Sequence, residues 1–358
     1  MGLTHVSLSH LVSISAHRLQ PTPSPRRLIE KGYAASDVEM RSVDLLKGEN
    51  FAPTYLRVNS AGTVPTLVVP LAETTGREQD TKFRALTDSV AVLNFLDASR
   101  SQQLLSQKNA AVDALPAPAL APATIEGKAA SDALIQLVHC AEADPNFLLL
   151  CARSADELAA QAGGLQGAFV KGRDEALQRY RAEAAANADT VNPREASQNS
   201  KLLAFYDDKI AAQAPLVGAY LQHDAGAIAG FVEASRKAWK ALPSTLAKLE
   251  TQLQGTYALG DQFSLADVHL MAWLARLLAV VKGLPGAPDD ELEALDAALK
   301  HEVCGGTAVG PKVRPQKAAP LAAVAHHADL LSPNKLSAYW KTLKTRPSYA
   351  AVYGEGLH

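Results

Sequence analysis

The pattern of hydrophobic and polar residues differs between the N-terminal part of the chain and the rest. Short runs of β-branched and apolar residues, which indicate strands, occur at 5–11, 38–46 and 66–69. From residue 129 onward, apolar residues recur at the spacing of amphipathic helices, and the helix predicted after residue 264 is apolar on nearly every side. We therefore expect a small α/β domain followed by a larger all-α domain with one helix buried at its centre.

Proline and glycine residues mark the boundaries between these parts. An Ala- and Pro-rich segment predicts a semi-extended linker at 106–127. We expect the first domain to occupy residues 1–105 and the helical domain to occupy residues 128–358. Within the helical domain, Pro145 and the pair Gly163–Gly164 are expected to interrupt the helices.

Composition narrows the class of protein. The chain of 358 residues has 47% hydrophobic and 20% charged residues, as is typical of a soluble globular protein. A net charge of -2 without a basic stripe argues against a nucleic-acid partner. The longest apolar run, at 268–281, is too short for a membrane anchor. Cys140, Cys151 and Cys304 form no CxxC pair, so we expect a reducing, cytoplasmic location and no metal site.

Two short motifs near the end of the first domain carry the candidate chemistry. Residues 59–65 read Asn-Ser-Ala-Gly-Thr-Val-Pro and precede a buried strand. Because proline cannot donate to a β-ladder, we expect Pro65 at the first position of the strand or in a turn, where the bond before a proline is often cis. Asp88–Ser89 stands where a helix is expected to begin, and the exposed amides of a helix start favour an anion. A third motif, Ser264 with Asp267, has the spacing of a capping box and predicts a structural role for Asp267.

The order and spacing of the first two motifs resemble the glutathione-binding half of the glutathione transferase superfamily. The segment 257–268 and the closing segment 340–348 resemble other parts of the same family. The resemblance implies an α/β thioredoxin-like N-terminal domain plus an all-α C-terminal domain, which together form a glutathione transferase fold with an enlarged helical domain. It also implies glutathione as the co-substrate. The glutathione-binding residues that it implies are Lys47, Asn50, Thr63, Val64, Pro65, Asp88 and Ser89.

The resemblance implies different contacts for each of the three parts of glutathione. The backbone of the residue before the cis proline, Val64, would pair with the cysteinyl unit. Asp88 and Ser89 would bind the γ-glutamyl end. Lys47 or Asn50 would reach the glycyl carboxylate, and the alternative is that both belong to a solvated loop.

A hydroxyl just after the first strand is the candidate activator of the glutathione thiol. In the family, a Ser, Tyr or Cys at this place stabilises the thiolate, which is the nucleophile. Ser13 and Ser15 both fit, and Ser13 is the preferred candidate. The run Ser-Ile-Ser at 13–15 most resembles the tetrachlorohydroquinone dehalogenases, which have a cysteine in place of Ser15. Thiol–disulfide chemistry is therefore not expected in this chain.

The expected function follows from these resemblances. The extra helical segment at 150–231 resembles that of the dehalogenases and the ganglioside-induced differentiation-associated proteins. The resemblance to the dehalogenases and to the aryl-ether cleaving members of the family favours a glutathione-dependent transferase. We expect it to act on a hydrophobic, aromatic electrophile by conjugation, ether cleavage or dehalogenation. Family members are usually dimers, so a homodimer is expected unless the enlarged helical region covers the interface. The alternative is a non-catalytic binding or interaction protein, because the proline-rich loop at 20–25 interrupts the family's first helix.

Overall fold

The computed structural model describes residues 30–33, 39, 41–70, 83–100, 118–187, 192–284, 287, 289–303 and 335–354. The predicted first strand, Ser13, Ser15, the proline-rich loop and Cys304 lie outside these residues. The two described strands are β1 (Leu67–Pro70) and β2 (Phe83–Leu86). The described α-helices are α1 (Pro53–Leu56), α2 (Ser89–Ser99), α3 (Ile125–His139), α4 (Pro145–Leu150), α5 (Ala155–Ala162), α6 (Leu165–Ala186), α7 (Pro193–Tyr220), α8 (Ala225–Gln252), α9 (Leu265–Lys282), α10 (Glu291–Val303), α11 (Lys335–Lys344) and α12 (Pro347–Tyr353).

Strands β1 and β2 form an antiparallel ladder with a small core of its own. Leu67 pairs with Leu86 at one end, and Pro70 pairs with Phe83 at the other. Leu67 is 1% exposed and packs in a cluster with Leu86 and with Leu96 of α2. The strand predicted at 66–69 is thus confirmed within one residue, and the ladder fixes where the turn before it lies.

The strand predicted at 38–46 is wrong over its described C-terminal part. The carboxylate of Asp44 accepts hydrogen bonds from the amides of Leu46 and Lys47, and a 3-10 turn forms over Leu45–Lys47. Gly48 then adopts a left-handed conformation with φ 63°. The short side chain of an aspartate can bond to backbone amides two or three residues ahead, and these bonds favour a turn over a β-strand.

The helical part is built around α9, as the sequence predicts. Its side chains from Leu265 to Val281 are almost all buried in one core with α3, α8, α10 and α11. Ser264 and Asp267 form the predicted capping box. The Asp267 carboxylate also accepts hydrogen bonds from the Ala258 amide and the Tyr339 hydroxyl, each at 2.8 Å. Asp267 therefore ties the start of α9 to two distant segments, which is a structural role.

The predicted interruptions of the helical part are confirmed. Helix α4 begins at Pro145, and Gly163–Gly164 separates α5 from α6. Of the two cysteines that the structure describes, Cys151 is buried and Cys140 is partly buried, and neither is part of a disulfide. None of the described helices combines the length and hydrophobicity that a membrane span requires.

Helices α6 and α7 pack against the segment that precedes β1. A Cβ atom added to Gly172 of α6 would lie 1.9 Å from the carbonyl oxygen of Leu46, so the two backbones are in direct contact. The Tyr206 hydroxyl of α7 donates a 2.9 Å hydrogen bond to the carbonyl of Phe51. The loop before β1 is thus held in place from the helical side.

Two further contacts join the N-terminal part to the helical part. Lys31 lies 2.6 Å from the carboxylate of Asp97, which also accepts a hydrogen bond from the Leu120 amide within the predicted linker. Glu30 accepts hydrogen bonds from Arg346 and from the hydroxyl of Ser348 at the start of α12. Residues far apart in sequence are therefore joined through buried charges.

Candidate functional site

The turn before β1 is organised by a buried asparagine. Asn59 is 1% exposed, and its amide nitrogen donates to the carbonyl of Thr63 at 2.7 Å and to the hydroxyl of Thr66 at 2.9 Å. Its amide oxygen accepts from the backbone of Ala61 at 3.0 Å. The Tyr55 hydroxyl also donates to the Thr63 carbonyl, and burial raises the pKa of this tyrosine. The phenol therefore stays protonated and serves as a donor that holds the turn.

Gly62 and Asn50 fix the other side of the same turn. Gly62 has φ 65°, a conformation that side chains with a Cβ rarely adopt. The amide nitrogen of Asn50 donates to the Gly62 carbonyl at 2.7 Å, and Asn50 is buried. A Cβ on Gly62 would lie 3.1 Å from the ring of Phe205 in α7. Asn50 thus supports the turn, and its expected contact with the glycyl carboxylate stays a prediction.

The Val64–Pro65 bond is cis, as the sequence predicts. Val64 is half-buried. Within the described part of the chain, neither its amide nor its carbonyl has a hydrogen-bond partner. An unpaired donor and acceptor on one residue is an arrangement that can pair with the backbone of a peptide-like ligand.

Asp88 and Ser89 lie at the same end of the ladder as this turn. Leu67 pairs with Leu86, so the chain before Leu67 and the chain after Leu86 both leave the ladder at that end. Asp88 is exposed and its carboxylate accepts from the Ala91 amide at 2.9 Å, which makes Asp88 the N-cap of α2 and Ser89 its first residue. One carboxylate oxygen caps the helix, and the other has no partner among the residues that the structure describes. The two sequence motifs are therefore brought together.

Lys47 lies apart from this arrangement. Its side chain is 71% exposed and forms an ion pair with Asp44 at 3.3 Å. An exposed pair of this kind contributes little to stability and leaves the ammonium group in water. The expected contact of Lys47 with glutathione is untested, and the lysine does not line the cavity described next.

A cavity of about 320 Å³ lies between the turn before β1 and helices α4, α6 and α9. Asn50, Thr63 and Val64 of the predicted set line it, whereas Lys47, Pro65, Asp88 and Ser89 do not. No acidic side chain belongs to its lining among the described residues, and two arginines do. The lining residues are Leu45, Leu46, Asn50, Gly62, Thr63, Val64, Asn146, Leu149, Leu150, Leu165, Gln166, Phe169, Arg173 and Arg276.

The two arginines of the cavity were not identified from the sequence. The Arg173 Nε donates to the side-chain oxygen of Gln213 at 3.0 Å, and its guanidinium lies 4.6 Å from the centre of the Phe51 ring. Burial lowers the pKa of Arg173 from its ordinary value, yet a guanidinium stays charged at neutral pH. Arg276 donates to the side-chain oxygen of Asn146 at 2.6 Å. Both residues belong to helices whose rotation in the fold cannot be read from spacing, so only the assembled structure reveals them.

Comparison with known proteins supports the superfamily. Residues 182–301, which include α7, α8 and α9, match the family model described as the glutathione S-transferase C-terminal domain. Among solved structures, the chain is similar to that of Gtt2 from Saccharomyces cerevisiae, with 18% identity and a TM-score of 0.37 over 82% of this chain and 94% of that chain. This TM-score is too low to establish a shared fold, so the match over 182–301 carries the comparison. No curated protein matches the chain.

Proposed function

We propose that the chain is a glutathione-dependent transferase that acts on a hydrophobic, aromatic electrophile. One observation carries the proposal. Val64, with its unpaired backbone groups, and Asp88, at the acidic start of α2, both lie at the same end of the β1–β2 ladder. The match of residues 182–301 to the C-terminal domain of glutathione transferases independently supports a glutathione-related transferase, and the aromatic substrate belongs to the proposal alone.

The backbone groups of Val64 suit the cysteinyl residue of glutathione, and the carboxylate of Asp88 suits its γ-glutamyl end. The amide and carbonyl of Val64 would pair with the backbone of the cysteinyl residue, which brings its sulfur close to the cavity that Val64 lines. The free carboxylate oxygen of Asp88 would accept a hydrogen bond from the γ-glutamyl ammonium group, and a charge-assisted hydrogen bond is among the stronger polar contacts. Ser89 and the first amides of α2 would face the α-carboxylate, because the start of a helix attracts an anion.

The chemistry requires a thiolate. Its sulfur would attack an electrophilic carbon of the second substrate, a carbon–sulfur bond would form, and the leaving group would depart with its electron pair. The thiol proton would pass to solvent before the attack. The hydroxyl of Ser13, or else of Ser15, would donate a hydrogen bond to the thiolate and lower the pKa of the thiol from about 8.5.

The first test separates the charge of Asp88 from its capping role. In Asp88→Asn, the asparagine still caps α2, because Asn and Asp are equally good N-caps. The variant loses the charge that would meet the γ-glutamyl ammonium. We expect glutathione affinity, measured by isothermal titration calorimetry, to fall by roughly ten- to a hundredfold.

Asp224→Asn is the matched control for this test. Asp224 caps α8 through a 2.7 Å hydrogen bond from the Ala227 amide and lines no part of the cavity. Its replacement should leave glutathione affinity unchanged. Equal affinities for wild type and Asp88→Asn would remove Asp88 from the binding site, and no measurable binding to wild type would remove the proposed function.

The second test addresses the thiolate. Ser13→Ala should lower turnover with a chromogenic aryl chloride far more than it lowers glutathione affinity, because the hydroxyl acts on the thiolate and not on binding as a whole. If Ser15→Ala alone has this effect, the role belongs to Ser15. An ultraviolet titration of bound glutathione should give a thiol pKa well below about 8.5. A thiol that titrates as it does in free glutathione would contradict catalysis and favour a non-catalytic binding protein.

A further inference from the structure

We propose that the cavity selects a second substrate with an apolar body and a carboxylate, and that Arg173 and Arg276 hold this carboxylate. The proposal rests on the proposed function, because it concerns the second substrate of that reaction. It goes beyond a general hydrophobic pocket, since it assigns a charge to the substrate and names the residues that select it.

The charge balance of the cavity is the first observation. Arg173 of α6 and Arg276 of α9 both belong to its lining, and none of the described lining residues is acidic. No described carboxylate lies within ion-pair distance of Arg173. Its neighbour in sequence, Asp174, instead accepts a 2.8 Å hydrogen bond from Gln213. The described lining therefore carries two guanidinium groups and no carboxylate, a set of side chains that suits an anionic group on a ligand.

Arg173 is positioned for this role by neutral groups. Its Nε is occupied by the Gln213 side chain, and its guanidinium lies against the ring of Phe51. These contacts fix the plane of the guanidinium without neutralising its charge. A planar guanidinium recognises a carboxylate through paired N–H groups, and this is the geometry that arginine supplies better than lysine.

The rest of the lining suits an apolar body. Leu149 of α4 and Leu165 and Phe169 of α6 line the cavity, together with Leu45 and Leu46 of the turn before β1. A volume of about 320 Å³ is at the lower end of small-molecule sites, and it suits a single substituted ring. Val64 lines the same cavity, so a ring held there would lie next to the place proposed for the glutathione sulfur.

The test compares ligands that differ only in their charge. The probes are para-methyldinitrobenzoate, which has no leaving group, and its methyl ester. Isothermal titration calorimetry on the full chain, with and without saturating glutathione, measures their affinities. We expect the carboxylate to bind roughly ten- to a hundredfold more tightly than the ester, as for a charged hydrogen bond. Turnover should show the same preference for para-chlorodinitrobenzoate over its ester, with chloride released as the carbon–sulfur bond forms.

Variants assign the preference to its residues. Arg173→Gln and Arg276→Gln should each reduce the preference for the carboxylate and leave ester binding and glutathione affinity unchanged. Arg181→Gln is the matched control, because Arg181 lies on the same helix as Arg173 but forms an exposed ion pair with Asp207. This control should keep the full preference.

The outcomes that would overturn this proposal can be distinguished from those that would overturn the proposed function. Equal binding of carboxylate and ester, or a preference that survives both substitutions, would show that the arginines do not select the substrate. If Arg173→Gln weakens glutathione binding instead, the guanidinium serves a carboxylate of glutathione, and the proposed function stands without the substrate preference. If glutathione does not bind at all while the benzoate does, the proposed function fails and the anion site is independent of it.

Discussion

At the scale of single residues, the turn before β1 depends on side chains that never need to touch a ligand. Asn59 and Tyr55 together satisfy the carbonyl of Thr63, which leaves the next residue, Val64, as the one with unpaired backbone groups. A buried polar group that loses its partner costs about 1–3 kcal/mol. The shape of the candidate site is thus set by buried hydrogen bonds, and the groups proposed to pair with the cysteinyl unit are the backbone groups of Val64.

Gly62→Ala tests this dependence. The substitution places a Cβ on a residue with φ 65°, and this atom would lie 3.1 Å from Phe205. We expect a loss of roughly 1–2 kcal/mol in the free energy of unfolding, because the left-handed conformation disfavours a side chain. We also expect weaker glutathione binding, since the Gly62 carbonyl and the turn must shift. Urea unfolding and calorimetry measure the two effects.

Gly260→Ala is the control for Gly62→Ala. Gly260 also has a positive φ, of 121°, but no atom lies within 4 Å of the position that its Cβ would occupy. It should therefore lose stability from its backbone conformation and keep its glutathione affinity. Unchanged binding in both variants would mean that the shape of the turn does not govern the site.

At the scale of elements, the sequence correctly predicts turns, helix caps and helix ends, because these depend on residues close to one another in the chain. The turn at 59–65, the capping box at Ser264 and Asp267, and the interruptions at Pro145 and Gly163–Gly164 all depend on neighbouring residues, and all are confirmed. Turn geometry, capping and the missing amide of proline act over a few residues, so they can be read directly from the sequence.

Features that depend on packing between distant elements could not be predicted in this way. Helix α6 lies against the 3-10 turn at Leu45–Lys47, and no local pattern in either segment indicates this contact. The cations that line the cavity are Arg173 of α6 and Arg276 of α9, and not Lys47 of the turn itself. Helical spacing shows that α6 is charged on one side, but it does not show which charge faces the loop.

The contact between α6 and the turn gives a prediction for Gly172. An alanine there would bring its Cβ within 1.9 Å of the Leu46 carbonyl oxygen, so the helix must move away from the turn. Overpacking of this kind costs roughly 1–3 kcal/mol. We expect Gly172→Ala to lower the free energy of unfolding and to speed amide hydrogen exchange in 45–51, as measured by mass spectrometry.

Gly230→Ala shows what alanine does in a helix without such contact. Gly230 lies inside α8, and no atom lies within 4 Å of its Cβ position. Its replacement should stabilise the protein by roughly 0.5–1 kcal/mol. A stabilising effect of the same size at Gly172 would show that α6 and the turn are not in close contact.

At the scale of the whole molecule, residues near both ends of the described chain meet at one buried carboxylate. Glu30 is 8% exposed and accepts hydrogen bonds from Arg346 and from Ser348 at the start of α12. Burial alone would raise the pKa of Glu30, but the hydrogen bonds from Arg346 and Ser348 outweigh burial and hold this pKa below its ordinary value. The ionised form is therefore favoured in the folded protein, which links stability to pH.

Glu30→Gln should reveal this link. Because the folded pKa is lowered, the ionised carboxylate stabilises the protein above the pKa of an unfolded glutamate, near 4.5, and this contribution disappears as pH falls through the folded value. We expect the variant to be roughly 2 kcal/mol less stable than wild type at pH ~7 and the difference to shrink steadily below pH ~4.5, as measured by urea unfolding. The control is Glu39→Gln, whose carboxylate forms an exposed ion pair with Arg41 and should change stability by less than about 1 kcal/mol at every pH. A constant difference between wild type and Glu30→Gln across this range would mean that Glu30 joins the two parts of the chain by shape alone, and that its charge contributes nothing to the joint.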